Sequence, residues 1–209
     1  MRMYRIIKRT FDFVSASLLL IAICPVFIIL VILVRSKIGS PVFFRQVRSG
    51  KGMKSFELIK FRTMTNAKDA EGNLLPDDQR RVPFGAWLRS SSLDELPELL
   101  NIIKGDMSVI GPRPLYPKYN DYYTEREKKR FEVRSGLIPP ESVDEDPFLS
   151  WDKQLEYDAQ YAETLSLKTD AKIFFTVFLM LFKRYKQDLG SWSRKPLDKE
   201  RNTVKEKDL

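Results

Sequence analysis

An acidic pair, Asp94 and Glu95, is the feature of this sequence best suited to carry chemistry. The 209-residue chain has one cysteine, Cys24, and no histidine. Histidine is the commonest general base and the commonest transition-metal ligand, so both of these are missing. Acid-base, nucleophilic or metal chemistry must therefore fall mainly to carboxylates, Lys, Tyr, Ser or Cys24. Sites built from carboxylate oxygens suit Mg²⁺ better than Zn²⁺.

The acidic pair opens a segment, residues 92–104, whose apolar residues recur at helical spacing. Ser92 followed by Glu95 fits a capping box, which predicts Asp94 and Glu95 in the first turn, where the helix dipole favours anions. Pro97 leaves the first residue of the helix open. On spacing alone, acidic residues here are more often helix signals than catalysts, so their surroundings must decide. The apolar residues of the segment are Leu93, Leu96, Leu100 and Ile103.

Basic residues lie both upstream and downstream of the acidic pair. Upstream, Lys60 and Arg62 belong to the run KFRTM; downstream, Arg113 stands between two prolines in residues 105–117, which contain two Gly and three Pro. That composition predicts a rigid loop. A stiff loop that presents a guanidinium can bind a phosphate with two hydrogen bonds, although a surface salt bridge is the simpler interpretation of Arg113.

Residues 13–34 form an apolar segment of 22 residues without a charge, long enough to span a bilayer as a helix. Cys24-Pro25 lies at its centre, and proline kinks a helix. Cations flank both ends, and because cytoplasmic flanks are rich in Lys and Arg, both ends are predicted to be cytoplasmic. A re-entrant helix-break-helix fits both features better than a simple span or a buried soluble helix. The cations are Arg2, Arg5, Lys8 and Arg9 before the segment, and Arg35, Lys37, Arg45 and Arg48 after it.

The net charge of +8 is concentrated around this apolar segment. Residues 1–64 hold 12 Lys and Arg against 2 Asp and Glu, whereas residues 65–209 hold 24 against 26. A basic chain could bind nucleic acid, but no surface of interleaved aromatic and basic residues suggests base stacking. The distribution favours anionic lipid headgroups as partners, and we predict no nucleic-acid partner.

The predicted fold class is mainly α with a short β-hairpin. A re-entrant membrane helix-break-helix precedes a compact cytoplasmic α/β domain with interfacial amphipathic helices. The hairpin is predicted over 42–64 and helices over 119–133, 151–165 and 170–186. The predicted organisation is a re-entrant helix over 1–36, a catalytic domain over 37–189 and a polar, disordered tail over 190–209.

Several motifs in a fixed order carry a family resemblance. They are the apolar segment broken at Pro25, FRQVRSG at 44–50, KFRTM at 60–64, LPDDQR at 75–80, LDELPEL at 93–99 and GDMSVIGPRPL at 105–115. Together they resemble the small monotopic phosphoglycosyl transferases of the bacterial sugar transferase family, closely over about 4–115 and more loosely over 150–180.

The resemblance implies that Asp94 is a nucleophile that attacks the β-phosphate of a UDP-sugar, releases UMP and forms an aspartyl-phosphosugar. A polyprenol phosphate, such as undecaprenyl phosphate, then accepts the phosphosugar at the cytoplasmic face of a bacterial inner membrane. Glu95 assists, either near the metal or by taking the proton from the lipid phosphate, and Asp94 and Glu95 are the implied ligands of Mg²⁺. Arg113 binds phosphate, and Lys60 and Arg62 belong to the same basic shell. Such enzymes begin the assembly of surface glycans or glycoconjugates.

The chain departs from the family pattern in two places. Cys24 stands where the family usually has Ser before the proline. After Gly136 the chain reads LIPPE, where the family commonly has a Pro-Gly-Ile-Thr-Gly stretch followed by Asn-Gly-Arg. The second departure motivates an alternative, a catalytically silent membrane-anchored partner with the same fold. The presence of Asp94, Glu95 and Arg113 together favours the active enzyme.

Overall fold

The computed structural model describes residues 2–144, 146, 149–183 and 194–205, and the described part is mostly helical with two small sheets. This confirms the mainly α class. The α-helices are α1 (Arg2–Ala22), α2 (Cys24–Lys37), α3 (Asp77–Arg80), α4 (Pro83–Ser90), α5 (Glu98–Lys104), α6 (Trp151–Glu163), α7 (Leu167–Lys183) and α8 (Leu197–Lys205). The strands are β1 (Phe43–Ser49), β2 (Ser55–Phe61), β3 (Met107–Ile110) and β4 (Ser135–Ile138).

The first two helices are separated by the break that the sequence predicts. The break falls at Ile23, and Pro25 lies in the first turn of α2, where its missing N–H removes no helical hydrogen bond. The two helices bend by 68°. Within the described residues no single helix is long and apolar enough to cross a bilayer, whereas the bent pair together has the length and composition to do so.

The chain packs into two compact units. One comprises Asp12–Gln46 and Glu57–Gly105 and contains the acidic pair, so we call it the dyad unit. The other comprises the described residues of Met1–Phe11, Val47–Phe56 and Asp106–Leu209, and we call it the Arg113 unit. The predicted boundaries at 36 and 189 concern membrane insertion and catalysis, and they stay predictions.

The dyad unit has a core in which α2 packs against β2 and α4. Phe27 of α2, Phe43 of β1 and Phe61 of β2 place their rings 5.0 to 6.2 Å apart. Burial of aromatic and branched side chains is the main favourable term in such packing. The buried residues of this cluster are Leu30, Val34, Ile38, Phe61 and Leu88.

The hairpin of β1 and β2 is confirmed, and a second sheet was not predicted. Strand β3 lies inside the segment 105–117 that was predicted to be a loop, and it pairs in parallel with β4. Gly111 and Gly136 let the two backbone segments approach closely, since a Cβ on Gly136 would lie 2.1 Å from the Gly111 nitrogen. Parallel pairing of distant segments leaves little local signal, so the glycines and prolines around β3 suggested a loop.

The helix predicted over 119–133 is wrong in detail, because two 3₁₀ segments, Pro117–Tyr122 and Glu127–Glu132, occupy this stretch. Between them, Thr124 and Glu127 exchange hydrogen bonds: the Thr124 N–H donates to Glu127 Oε2 at 2.8 Å and the Glu127 N–H donates to Thr124 Oγ1 at 3.3 Å. This reciprocal pattern starts a new helical segment and therefore interrupts the predicted one.

The helix predicted over 151–165 is confirmed as α6, and the one predicted over 170–186 is confirmed as α7 up to residue 183, with 184–186 outside the described residues. The predicted disordered tail needs correction. Helix α8 lies within that tail, and Leu197 at its start is fully buried against Trp151 and Tyr119. Arg201 of α8 binds Glu127 at 2.6 Å. One apolar anchor and a partly buried ion pair are enough to order a polar segment. The rest of the predicted tail, 190–193 and 206–209, lies outside the described residues.

Candidate active site

The acidic pair lies on a tight turn that precedes α5, not in the first turn of that helix. Leu93–Glu95 is a 3₁₀ turn, and α5 begins at Glu98. An α-helix through this stretch would need an N–H on residue 97, which Pro97 lacks. Ser92 has a φ of 56° and its side chain caps nothing, so the predicted capping box does not form.

Asp94 is largely buried, with a relative exposure of 9%, on this turn. Burial raises the pKa of its carboxyl, the positive charge of Lys60 opposes that rise, Glu95 adds to it, and Arg89 opposes it. A buried carboxylate with a raised pKa and cations nearby is a recurrent property of catalytic carboxyls. Its low exposure also means few water molecules compete for its oxygens.

Lys60, at the end of β2, links the acidic pair to the first residue of α5. Its Nζ lies 2.6 Å from Glu95 Oε1 and 3.1 Å from Glu98 Oε1. Burial alone would lower the pKa of Lys60, but the charges of Glu98 and Glu95 outweigh burial and raise it. The structure thus brings Lys60 to the acidic pair, with its ammonium bound to carboxylates.

Asn101 sets the position of β2 relative to α5, and the sequence did not single it out. Its Oδ1 accepts from the Ile59 N–H at 3.0 Å, and its Nδ2 donates to the Glu57 carbonyl at 2.6 Å. The side chain is almost fully buried, so it serves both backbone groups of a strand that would otherwise lack a partner on this side. Lys60, next in sequence, is thereby held over α5.

Arg62 was predicted to belong to a phosphate-binding shell, and the structure places it in a different setting. Its guanidinium is buried and donates to the carbonyls of Met64 at 2.7 Å, Ser40 at 2.5 Å and Pro41 at 3.3 Å. Three backbone carbonyls engage the donors of a group that is best at binding planar anions. Arg62 therefore holds the chain around 40–41 and 62–64, and its role in phosphate binding stays a prediction.

Arg89 is a second residue that the sequence did not single out. It lies on α4, donates from Nε to Thr63 Oγ1 at 2.9 Å, and its charge acts on Asp94. Gly85 makes this placement possible, because a Cβ there would lie 1.9 Å from the Thr63 carbonyl oxygen. Only the glycine lets α4 approach the backbone at Thr63. The pattern F-G-A-W offered a weak signal, an isolated glycine within a helical segment.

Arg113 belongs to the Arg113 unit, and its side chain is half exposed, at 52%. Its Nε lies 3.4 Å from Glu141 Oε1. Its carbonyl accepts from Arg130, which also lies 3.3 Å from the fully buried Asp158. The backbone of Arg113 is therefore fixed while its guanidinium faces solvent, which is the arrangement expected of a group that binds a phosphate from outside.

A Mg²⁺ site on the acidic pair was predicted, and the donor set is compatible with it. Among the described residues no group of three or more His, Cys, Asp or Glu side chains is placed to hold a metal ion. Mg²⁺ commonly uses one or two carboxylates together with substrate phosphates and water. Asp94 and Glu95 supply hard oxygen ligands of this kind, and the magnesium site stays a prediction.

Comparisons with known proteins agree on one kind of enzyme. The sequence matches the bacterial sugar transferase family over residues 3–184. It is 45% identical to an uncharacterised sugar transferase, EpsL, of Bacillus subtilis, over 80% of this chain and 83% of that protein. It is 34% identical to the exopolysaccharide production protein ExoY of Rhizobium meliloti, over 80% of this chain and 82% of that one.

A third relative has a name that states a reaction. The chain is 34% identical to the UDP-glucose:undecaprenyl-phosphate glucose-1-phosphate transferase of Klebsiella pneumoniae, over 86% of this chain. The matched region covers 40% of that larger protein.

Proposed function

The chain belongs to the bacterial sugar transferase family, and we propose that it transfers a sugar-1-phosphate from a UDP-sugar to undecaprenyl phosphate. The reaction would begin the assembly of an exported polysaccharide or glycoconjugate. The observation that carries this proposal is Asp94, a buried carboxylate among Lys60, Glu95 and Arg89, at the position where the family resemblance puts the nucleophile.

In the first step, a carboxylate oxygen of Asp94 attacks the β-phosphorus of the UDP-sugar. A new bond forms between Asp94 and that phosphorus while the bond from phosphorus to the bridging oxygen breaks, and its electron pair leaves with UMP. Covalent catalysis of this kind divides one displacement between two poorly reactive anions into two steps. Burial favours the attack, because a carboxylate with a raised pKa is the stronger nucleophile.

In the second step, a phosphate oxygen of undecaprenyl phosphate attacks the same phosphorus. The bond to Asp94 breaks, its carboxylate is restored, and the product is undecaprenyl diphosphate-sugar. Glu95 accepts a proton from the lipid phosphate in this scheme, and its ion pair with Lys60 at 2.6 Å holds it beside Asp94. Lys60 also offers positive charge to the anions that arrive.

A bound Mg²⁺, held by Asp94 or Glu95 together with the diphosphate, would neutralise negative charge on the donor and on the departing UMP. Arg113 would bind a donor phosphate through its exposed guanidinium. Both assignments rest on the chemistry of the side chains described above.

The bent pair α1 and α2 is proposed to enter the membrane from the cytoplasmic face and return to it. Its 68° bend is too sharp for a straight span, and large apolar side chains cover its outer surface. A re-entrant helix keeps the enzyme at headgroup depth, where it meets both a water-soluble donor and a lipid acceptor. The exposed residues are Phe13, Val14, Leu18, Leu19, Ile21, Val26, Ile28, Ile29 and Ile32.

Two further features bear on the membrane face. Helix α7 presents Phe174, Phe175, Phe178 and Leu179 to solvent while Ile173 is buried, which favours an interfacial helix. Of the flanking cations, Lys8 binds Asp170 at 2.8 Å and its side chain is only 12% exposed. Lys8 therefore contributes to the protein fold, and the more exposed flanking cations are the ones that would bind lipid headgroups.

Cysteine labelling tests the re-entrant topology. In a Cys24→Ser background, Thr10→Cys and Ser36→Cys place exposed thiols on either side of the apolar segment. We expect a membrane-impermeant maleimide to label both in inside-out vesicles and neither in intact spheroplasts. The unaltered protein, whose only thiol is Cys24 at the bend, serves as the control and should resist the reagent from both sides. Labelling of the two positions from opposite sides would establish a simple span.

The proposed reaction is tested by UMP release. The full-length protein in vesicles that contain undecaprenyl phosphate and Mg²⁺ is offered a panel of UDP-sugars, and UMP is measured. We expect sustained release with one or a few donors, and only a single turnover when the lipid phosphate is omitted. Absence of UMP with every donor, from protein that remains folded, would reject the enzyme and favour the silent membrane-anchored partner.

A further inference from the structure

Two of the buried polar atoms that lack a hydrogen-bond partner in the described part of the Arg113 unit lie in one polar cluster. They are Glu141 Oε2 and Gln154 Nε2, on residues with relative exposures of 8% and 4%. An unsatisfied buried polar group is costly and rare in folded proteins. An acceptor and a donor that both lack partners within one cluster indicate a ligand that supplies the missing hydrogen bonds.

Both residues belong to one cluster of charged and polar side chains. Glu141 Oε1 lies 3.4 Å from Arg113 Nε, and Gln154 Oε1 accepts from Arg194 at 2.5 Å. The charge of Arg194 in turn interacts with Glu141 and with Arg113. We call these four residues, Arg113, Glu141, Gln154 and Arg194, the Glu141 cluster.

The cluster is held by rigid supports. Gln154 lies on α6, one turn from the fully buried Asp158, whose partner Arg130 also holds the Arg113 carbonyl. Arg194 is clamped on the other side, since its guanidinium stacks 3.5 Å above the Trp151 ring and donates to the Leu149 carbonyl at 2.7 Å. Fixed side chains of this kind are what a recognition site needs.

The cluster is built from parts of the chain that set it apart from the family pattern. Glu141 ends the LIPPE stretch that replaces the usual family sequence after Gly136. Arg194 lies beyond residue 184, where the family match ends. Two departures that meet at one place indicate a property that differs among family members, such as the choice of donor, and not the chemistry they share.

We propose that the Glu141 cluster recognises the hydroxyl groups of the donor sugar. A sugar hydroxyl donates one hydrogen bond and accepts others, so it can donate to Glu141 Oε2 and accept from Gln154 Nε2. Arg113 at the edge of the cluster would hold the adjoining phosphate, which is the role given to it in the proposed reaction, and the inference rests on that reaction. The specificity residues are then Glu141 and Gln154, and Arg194 positions Gln154.

Binding measurements test this in an Asp94→Asn background, where donors are not consumed. In the full-length protein in nanodiscs, Glu141→Gln keeps the size of the side chain but removes the carboxylate. We expect this variant to bind the preferred UDP-sugar about tenfold more weakly, which corresponds to the loss of one hydrogen bond to a charged group. UMP has no sugar beyond its ribose, so its affinity for the variant should lie within about twofold of its affinity for the parent protein. Gln154→Leu should likewise weaken binding of the UDP-sugar but not of UMP. Both variants should change the order of preference among UDP-sugars.

Matched controls separate recognition from loss of fold. Glu156→Gln removes a carboxylate from the exposed side of α6, and Lys195→Gln removes an exposed cation from the residue next to Arg194. Both should leave donor preference unchanged, whereas Arg194→Gln should alter it. If UMP and the UDP-sugar lost affinity equally, the cluster would bind the nucleotide and the proposal would be overturned. An unchanged order of preference among UDP-sugars would also overturn it. UMP release by the protein with Asp94 intact reports separately whether the proposed reaction occurs.

Discussion

Replacement of Asp94 by Asn is expected to abolish sustained UMP release, lowering turnover by at least about a thousandfold, the scale on which removal of a nucleophile acts. Asparagine has nearly the same shape as aspartate, so the turn Leu93–Glu95 should keep its conformation. The amide nitrogen and oxygen do not form a stable bond to phosphorus. Loss of activity with an unchanged unfolding midpoint would therefore report the missing carboxylate.

The proposed intermediate gives this variant a second and more direct measurement. In the absence of undecaprenyl phosphate, the native protein should retain the sugar-phosphate, visible as a mass increase on the peptide that contains Asp94. Asp78→Asn, at an exposed carboxylate of α3 in the same unit, is the matched control and should retain both the label and the activity. Label on the Asp94→Asn protein, or turnover near the native rate, would move the nucleophile elsewhere, with Glu95 the first residue to examine.

Much of the framework could be read from local signals. The break at Pro25 follows from a missing N–H, the hairpin from a Gly-rich turn between two strands, α6 from a charged stretch typical of a helix, and α7 from a run of ten apolar residues. Each of these depends on residues close in sequence. Asp94, Glu95 and Lys60 were found through motifs, and the structure places Lys60 Nζ 2.6 Å from Glu95 Oε1 and brings its charge to act on Asp94.

The parts that were missed depend on contacts between distant segments. Strand β3 exists because β4 lies beside it, and residues 107–110 alone do not report that partner. Asn101 matters because β2 needs its amide, and Arg89 because Gly85 admits α4 to Thr63. The helix α8 depends on the burial of a single leucine, Leu197. Composition described the tail correctly as polar, but one buried side chain and an ion pair outweighed that composition.

Replacement of Lys60 by Met is expected to destabilise the protein by about 2 to 4 kcal/mol, below the full cost of breaking a buried ion pair because Lys60 is partly exposed. Its Nζ serves two carboxylates, and the Glu98 side chain is only 4% exposed. Methionine fills a similar volume, so packing of the aliphatic stem is kept and the charge is what is lost. Lys68→Met, at an exposed lysine of the same unit, should change the unfolding free energy by less than about 0.5 kcal/mol.

The pH dependence of this variant separates a structural role for Lys60 from an electrostatic one. The pKa of Lys60 is raised in the folded protein, so its stabilising effect is complete below the ordinary value of 10.5 and is lost as pH rises through the folded value. The stability difference between the native protein and the Met variant should therefore be constant near neutrality and shrink above about pH 10.5.

Catalysis supplies the complementary measurement, at the acid end of the pH range. Lys60 lowers the pKa of Asp94 against the effect of burial, so its removal should raise that pKa further and shift the acid limb of kcat/KM to higher pH. Lys60→Arg keeps a positive charge and should leave the limb near its native position. If Lys60→Met lost stability but kept the acid limb unchanged, Lys60 would act only through the packing of β2 on α5. A shift of both would show that one ammonium sets the structure and the charge of the acidic pair together.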